Sequence, residues 1–371
     1  MRWLSAAYAA VARARRRSFE RHPDRQRHLQ RPVISVGNIA VGGSGKTPAV
    51  AHIAQLLAAA GERPAILTRG YRRREPTGGV LVVSDGRRIR ADLPRAGDEP
   101  LMLARALPEA AVLVGADRYL AGLLAERRFD RTVHLLDDGF QHVQLHRDID
   151  IVLVAPQDLH DQVLPAGRLR EDLSVLACAD AVVVNTNAEI DAQSLAAEIG
   201  VATVFQARTR LGPPRVSAGT VGAELARPEL ARPEVISVGA ELARPEGAAP
   251  ATRILALAGI ARPRRFFDLL AASGWRAAGE MTFADHHYFT RADLDRIVRA
   301  AREAGAGLVL TTEKDLVRLL PFRPFEVPIA AVPLELRIEQ PDPARAGAVP
   351  FGEWLAARLA ATRAARRERS A

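Results

Sequence analysis

The sequence of 371 residues is poor in cysteine and has no long apolar run. Its one cysteine, Cys178, excludes an internal disulfide and is typical of a protein kept in a reducing compartment. No run of about 18 apolar residues is present, so the pattern predicts no membrane-spanning helix. The apolar stretch at 3–12 is followed by arginines rather than by a cleavage site, so we expect no signal peptide.

The middle of the chain also lacks an excess of charge of either sign. The formal net charge is +9, but residues 1–31 carry nine arginines against two acids, and residues 358–371 carry five arginines against one acid. A nucleic-acid groove needs basic residues on the body of the protein. The distribution therefore argues against nucleic acid as a partner, and no obligate protein partner is inferred.

The first basic end, residues 1–31, has the pattern of an amphipathic helix. An interfacial helix of this kind places its apolar face in the lipid headgroups and its arginines against anionic lipid. An ordinary helix packed on the body, with a solvated basic face, fits the residues equally well. The apolar residues that recur at helical spacing are Trp3, Leu4, Ala7, Tyr8 and Val11.

The rest of the chain divides into three parts. Residues 32–211 alternate short apolar runs with helical patterns, which predicts an α/β domain with a mostly parallel sheet. Residues 212–252 contain ELARPE three times and have few large apolar residues, so we predict a low-complexity linker or insertion. Residues 253–371 predict a second, smaller α/β domain that closes with a helix.

A glycine-rich segment, GNIAVGGSGKTP at 37–48, lies between a predicted strand and a predicted helix. It departs from the pattern G-x-x-x-x-G-K-[ST] only at the first position, where Ala40 replaces glycine. In such a loop main-chain N–H groups surround the phosphates, the lysine reaches the outer phosphates and the hydroxyl binds Mg²⁺. A small residue can serve at the entry, so we predict a nucleotide-phosphate site formed by Ala40, Val41, Gly42, Gly43, Ser44, Gly45, Lys46 and Thr47.

Three polar clusters supply further candidates. Asp137 and Asp138 end a predicted apolar strand, where P-loop proteins hold the metal-binding acid, so we favour a metal role over an ordinary strand-to-turn junction. Asp98 and Glu99 precede a helix begun by proline, which fits either chemistry or simple N-terminal capping. The Asp-His-His run at 285–287 is predicted as a loop, for which metal ligation and plain solvation both stay open.

These segments resemble the tetraacyldisaccharide 4′-kinase (lipid A 4′-kinase) family. Each motif is weak alone, but eight in the same order over about 280 residues form a specific signal. The chain departs from the family pattern at Arg72, where glycine is expected, and in the ELARPE expansion. The motifs are GNIAVGGSGKTP (37–48), RGY (69–71), GDEP (97–100), LLDDGFQH (135–142), LPAGRLRE (164–171), AGIARPRRFF (258–267), FADHHYF (283–289) and TTEKD (311–315).

The resemblance implies transfer of the γ-phosphate of ATP to the 4′-hydroxyl of a tetraacyldisaccharide 1-phosphate, which gives lipid IVA. It implies a P-loop NTPase-like domain and a smaller α/β domain joined by a short β linker, with the site in the cleft between them. It also implies a peripheral protein on the cytoplasmic face of the inner membrane of a Gram-negative bacterium. That location favours the interfacial interpretation of residues 1–31.

The resemblance also implies roles for individual residues. Asp98 would accept the proton of the sugar hydroxyl together with His286, whose imidazole Asp285 would orient. The predicted metal-binding set is Thr47, Asp137 and Glu99, and the set predicted to contact or support the substrate is Asp138, Arg168 and Arg170.

Two other functions fit parts of the sequence. A P-loop ATPase or GTPase that acts as a switch or metallochaperone would hydrolyse nucleotide without a lipid acceptor, although one cysteine does not supply a metallochaperone's ligand cluster. A membrane- or nucleic-acid-binding adaptor would use the basic ends but needs no phosphate loop. TTEKD only loosely resembles the guanine-reading N-K-x-D motif, so we predict a loop there and favour ATP over GTP.

Overall fold

The computed structural model describes residues 2–42, 45–71, 73–217, 235–236, 253–340 and 349–370. Gly43, Ser44, Arg72 and most of the ELARPE segment lie outside these described residues. Across the described ranges, none of the helices combines the length and the apolar character that crossing a membrane requires.

A nine-stranded sheet forms the larger unit and confirms the prediction of a mostly parallel sheet. Its strand order is β15-β8-β7-β6-β1-β5-β2-β4-β3, and only the pairs at the two edges, β15 with β8 and β3 with β4, are antiparallel. The strands are β1 (Val33–Asn38), β2 (Pro64–Thr68), β3 (Leu81–Asp85), β4 (Ala111–Val114), β5 (Val133–Asp137), β6 (Ile149–Val154), β7 (Ala181–Asn185), β8 (Val204–Leu211) and β15 (Leu334–Ile338).

A six-stranded sheet forms the smaller unit, in the order β10-β9-β14-β13-β11-β12. The strands from β14 to β12 are parallel to one another, and β9 and β10 pair antiparallel at one edge. The strands are β9 (Arg215–Ser217), β10 (Val235–Ile236), β11 (Ile254–Ala258), β12 (Ala277–Thr282), β13 (Leu308–Thr312) and β14 (Ile329–Val332).

Helices cover both faces of the large sheet. Central strands such as β1 are buried along their whole length, because neither face meets water. Ile34 and Val36 point to the face covered by α2, α4 and α10, whereas Val33 points to the face covered by α5. The helices are α1 (Arg2–Arg21), α2 (Lys46–Ala59), α3 (Leu93–Ala96), α4 (Asp98–Ala106), α5 (Arg118–Phe129), α6 (Ala192–Ile199), α7 (Pro263–Ala272), α8 (Arg291–Glu303), α9 (Glu313–Leu319) and α10 (Phe351–Ser370).

The boundaries expected for the second domain are wrong at both ends. The chain returns to the large sheet after β14, because β15 pairs with β8 and α10 buries Phe351, Leu355 and Leu359 in the core of that sheet. At the other end, β9 and β10 belong to the small sheet although they lie inside the predicted linker 212–252. The polypeptide therefore crosses between the two units at 212–214 and again near Pro333.

Helix α1 is held to the body through its C-terminal half. Arg16 is buried, makes two hydrogen bonds of 2.9 Å with the carboxylate of Glu171, and lies over the ring of Phe140. The N-terminal half instead exposes large apolar side chains, with Trp3 72% and Val11 70% exposed. The N-terminal half also contacts the body, because the hydroxyl of Ser5 accepts from Ala166 N–H at 3.2 Å, but its apolar stripe stays exposed.

Candidate active site

The described part of the glycine-rich segment, residues 37–42 and 45–48, contains the end of β1 and the start of α2. Gly45 caps α2 with φ of 87°, a left-handed conformation that side chains rarely adopt. A Cβ at this position would also lie 2.9 Å from Nδ2 of Asn185. Helix α2 starts at Lys46, so its free N–H groups and its positive dipole end face the loop, which is the arrangement that binds phosphate.

Lys46 is directed into the site by two neighbours. Its Nζ donates to Oδ1 of Asn38 at 3.0 Å and lies 3.6 Å from Oδ1 of Asp138. Asn38 also donates to the carbonyl of Ala40 at 2.5 Å, so one side chain ties the start of the loop to its lysine. Burial lowers the pKa of Lys46, and the charge of Asp138 opposes this effect.

The segment LPAGRLRE supports the entry to the loop. Val41 N–H donates to the carbonyl of Arg168 at 2.8 Å, and Arg170 N–H donates to the carbonyl of Ile39 at 2.6 Å. Ala40, which stands where the strict pattern has glycine, is buried among apolar side chains that include Leu169. A small apolar residue fits this position because the loop is held here by packing and main-chain bonds.

Asp137, at the end of β5, is a buried carboxylate whose charge is only weakly balanced by nearby cations and hydrogen-bond donors. Register places Val36 of β1 beside Asp137, so both strands end at the same edge of the sheet. Burial raises the pKa of Asp137 to about 6, and the nearby carboxylates of Glu99 and Asp138 act in the same direction. The hydroxyl of Thr68 donates to its Oδ2 at 3.1 Å. A cation beside this carboxylate would relieve the unfavourable charge.

The next residue, Asp138, is fully compensated. Nη1 of Arg170 contacts both carboxylate oxygens at 2.9 Å, and Lys46 lies on the other side. Burial acts to raise the pKa of Asp138, but Lys46 and Arg170 together hold it below its usual value. Arg168, by contrast, pairs with Asp158 at 3.0 Å and Asp161 at 2.7 Å. Its described contacts hold the segment together, so its substrate role stays a prediction.

Asp98 meets residues from the smaller unit. It is buried at the start of α4, forms an ion pair with Arg318 of α9, and its Oδ2 lies 3.1 Å from Nδ1 of His286. Burial alone would raise the pKa of Asp98, but the hydrogen bond to His286 and the charge of Arg318 hold it well below its usual range. The carboxylate and the imidazole predicted to act together are therefore in direct contact.

Glu99, the second acid of GDEP, also crosses to the smaller unit. Its Oε1 lies 2.5 Å from Nζ of Lys314. Burial acts to lower the pKa of Lys314, and the neighbouring Glu99 more than offsets it, so this pKa is raised. TTEKD is thus a strand end and the first turn of α9, with Thr312 as the cap, rather than the predicted loop.

The remaining members of the Asp-His-His run behave differently from His286. Oδ2 of Asp285 lies 3.9 Å from Nε2 of His286, which is too long for the orienting hydrogen bond that we expected. His287 turns to Asp293, 3.0 Å away, at the cap of α8. Three non-glycine residues in the described ranges have positive φ, and two of them, Asp138 and His286, are in this site; the third is Asp130. Such strain is often retained at functional positions.

The donor set suits a hard cation that also binds phosphate. Within the described ranges, no three or more His, Cys, Asp or Glu side chains are grouped to form a metal site. Mg²⁺ is usually held by one or two carboxylates, a hydroxyl and substrate phosphate oxygens rather than by a cage of protein ligands. The raised pKa of Asp137 is the observation that fits such an ion. Thr47, on the first turn of α2, and Glu99 are the further oxygen donors predicted for it.

Four residues at the site were missed by the sequence reasoning: Asn38, Thr68, Lys314 and Arg318. Asn38 directly precedes the loop and carries no signal of its own. Lys314 and Arg318 are spaced i, i+4, so a helix over TTEKD would have placed both on one face. They were missed because a seven-residue helix gives too short a pattern to recognise.

The geometry defines a class of protein. A central parallel strand leads through a glycine-rich turn to a helix that begins with lysine, and the neighbouring parallel strand ends in an acid. This is the nucleotide-phosphate site of the P-loop proteins. The contact of Asp98 with His286 adds an acid–imidazole pair of the kind that accepts or donates protons in catalysis.

Comparisons with known proteins identify the family. The family model described as tetraacyldisaccharide-1-P 4′-kinase (LpxK) matches residues 1–347, so the chain belongs to this family. The tetraacyldisaccharide 4′-kinases of Geobacter metallireducens and Koribacter versatilis are each 39% identical to it, over 92% of this chain and 94% and 95% of theirs. A crystal structure of LpxK from Aquifex aeolicus in complex with ATP superposes with a TM-score of 0.72 at 29% identity, covering 97% of both chains.

Proposed function

We propose that this chain transfers the γ-phosphate of ATP to the 4′-hydroxyl of a tetraacyldisaccharide 1-phosphate and so forms lipid IVA. The observation that carries the proposal is the convergence of two half-sites. The larger unit supplies Lys46, the loop and Asp137, and the smaller unit brings His286 against Asp98. Glu99 bridges the halves, because it contacts Lys314 and its charge acts on both Lys46 and Asp137.

On the nucleotide side, the residues of the site would position the phosphates and neutralise their charge. Lys46 and the N–H groups around the loop would hold the β- and γ-phosphates, and Thr47, Asp137 and Glu99 would hold Mg²⁺. Mg²⁺, when bound, neutralises charge on the phosphate oxygens during transfer. Lys46 and Arg170, the two cations that would face the phosphates, both form ion pairs with Asp138.

The acceptor end requires a base. The sugar oxygen forms a bond to the γ-phosphorus while the bond from that phosphorus to the β–γ bridging oxygen breaks, and the hydroxyl proton passes to Asp98. His286 lies against Oδ2 of Asp98 and is close enough to donate its Nδ1 proton, which keeps the carboxylate ionised and oriented. A weak base is sufficient when bond breaking leads and the proton leaves late.

A groove of about 220 Å³ lies beside α1, and three arginines are in its lining. One of them, Arg170, also contacts Asp138 beside Lys46, which supports the groove as a binding place for a phosphorylated sugar. The exposed apolar stripe of α1 lies on the same helix, so a lipid whose acyl chains stay in a membrane could reach the groove with its headgroup. The lining residues are Tyr8, Ala12, Arg15, Arg16, Gln141, Val143, Arg170 and Glu171.

The transfer is tested by incubating the protein with ATP labelled at the γ-phosphate, Mg²⁺ and the acylated disaccharide 1-phosphate. We expect label on the glycolipid, and we expect Lys46→Ala to lower the rate by about 10³-fold because it removes the charge on the outer phosphates. Free labelled phosphate that forms equally well without the glycolipid would instead indicate the switch-type hydrolase.

We further propose peripheral binding of α1 to the cytoplasmic face of the inner membrane. Binding to vesicles that contain anionic lipid should fall by about tenfold in the double variant Trp3→Ser, Val11→Ser, since each change removes exposed apolar surface. Leu120→Ser, which removes an exposed apolar side chain from α5, is the matched control and should bind normally. Unchanged binding of the double variant would contradict the proposal.

A further inference from the structure

Arg318 lies at the centre of a buried assembly that joins four segments of the chain. Its side chain is 3% exposed. Nη1 donates to the carbonyl of Gly259 at 3.0 Å and to Oδ1 of Asp315 at 3.1 Å, while Nη2 contacts the carboxylate of Asp98 and lies 3.4 Å from Nδ1 of His286. The guanidinium therefore has two hydrogen-bond partners behind it, in the smaller unit, and the carboxylate of Asp98 in front, beside His286.

The rear of this assembly is rigid. Asp315 is fully buried and accepts from Gly259 N–H at 2.9 Å and from the hydroxyl of Thr312 at 2.7 Å. A Cβ on Gly259 would lie 2.8 Å from Oδ1 of Asp315, so glycine is needed for this close approach. Because Gly259 N–H and the Thr312 hydroxyl fix Asp315, the planar guanidinium has one orientation in which all its contacts are kept.

The front of the assembly leaves only one oxygen of Asp98 open. Oδ2 receives both the guanidinium and Nδ1 of His286, which use its two lone pairs. Oδ1 accepts only the N–H of Glu99, at 3.1 Å, among its described contacts. Lys314, one turn before Arg318 on α9, forms an ion pair with Glu99. Helix α9 therefore supplies a cation to each of the two acids at the start of α4.

We propose that Arg318 is a positioning residue of the phosphotransferase: it locks Asp98 so that Oδ1 faces the acceptor hydroxyl and receives its proton. This proposal rests on the proposed function, in which Asp98 is the base. Arg318 reaches substrate only through Asp98 and His286, so it is not itself a catalytic residue. A buried ion pair contributes little to stability when compared with an apolar replacement, which is consistent with a role in orientation.

A second buried arginine supplies the matched control. Arg131 donates to the carbonyls of Glu109 and Asp85 at the edge of the large sheet and contacts none of the site residues named above. Arg131→Met should lower the melting temperature as Arg318→Met does, because each leaves buried polar partners unsatisfied. It should leave kcat unchanged.

The test is a double-mutant cycle on single-turnover rates and steady-state constants. Arg318→Met should lower kcat by about 100-fold with the KM for ATP within about threefold, and Arg318→Lys should recover kcat to within about tenfold of wild type because one donor to Asp98 is kept. In the Asp98→Asn background the Met substitution should cost less than about threefold, since the base through which Arg318 acts is already lost.

The outcomes separate this proposal from the proposed function. An equal loss from Arg318→Met in both backgrounds, or a kcat within about threefold of wild type, overturns the positioning role and leaves Asp98 as the base. Turnover of Asp98→Asn at the wild-type rate overturns the base itself, and with it both proposals. If Arg318→Met does not fold, the same cycle is run with Arg318→Lys, whose smaller loss should again vanish in Asp98→Asn.

Discussion

The two acid pairs of the site differ in how their charge is balanced. Asp98 and Glu99 at the start of α4 have protein cations, Arg318 and Lys314, from the smaller unit. At the end of β5, only Asp138 has such partners, and Asp137 carries a raised pKa. One pair is thus complete within the protein and the other is one positive charge short. We propose from this difference that Asp98, which is paired within the protein, accepts the proton, and that Asp137, with Glu99 close enough to raise its pKa, binds the cation.

The largest effect is expected on kcat, when Asp98 of the first acid pair is changed. Asp98→Asn should lower kcat by about 10²–10³-fold, because it removes the base but keeps an oxygen for Arg318. Binding of ATP should stay within about threefold of wild type, since Asp98 contacts none of the loop residues. Asp92→Asn, at the cap of the preceding helix α3, is the control and should turn over normally. A comparable loss of ATP affinity would show that Asp98 serves the nucleotide instead.

For the second acid pair, removing the carboxylate charge of Asp137 is expected to raise the free energy of unfolding. The pKa of Asp137 is raised from 3.8 to about 6 in the fold, so the folded protein prefers the protonated form and loses stability as pH rises through 6. The free energy of unfolding of Asp137→Asn should therefore be higher than that of wild type by about 3 kcal/mol at pH 8 in the absence of nucleotide and Mg²⁺, and the gain should shrink towards pH 4. Urea titrations at the two pH values measure it.

The control for this gain is Asp130→Asn, because Asp130 is an exposed acid with a left-handed backbone that asparagine also accepts. It should show no gain that depends on pH. A destabilised Asp137→Asn at pH 8 would mean that the carboxylate already has its counter-charge inside the protein.

A smaller effect is expected for Arg170, which contacts Asp138 and lines the groove beside α1. Arg170→Ala should raise the KM for the glycolipid by about tenfold, because a cation that lines the groove is lost, while Lys46 still compensates Asp138. Arg63→Ala, which breaks an exposed ion pair with Asp130 away from the groove, is the control. A rise confined to the KM for ATP would place Arg170 on the nucleotide side.

The sequence predicted the nucleotide half of the site better than the acceptor half. The glycine-rich segment lies between a strand and a helix, β1 and α2, as predicted, because a short strand, glycines and a helix start are local patterns. The pairing of Asp98 with Arg318 joins residues 220 positions apart, and no local pattern encodes it. Strand β12 is hard to predict from the sequence, because its residues are largely exposed at a sheet edge, which weakens the apolar alternation.

The central claim is that Asp98 accepts the proton and Asp137 binds the cation. It is tested most directly by calorimetric titration of ATP into wild type, Asp98→Asn and Asp137→Asn, with and without Mg²⁺. We expect Mg²⁺ to strengthen ATP binding equally in wild type and Asp98→Asn, and to have no effect on the affinity of Asp137→Asn. A Mg²⁺ effect that persists in Asp137→Asn, or one that disappears in Asp98→Asn, would contradict this account.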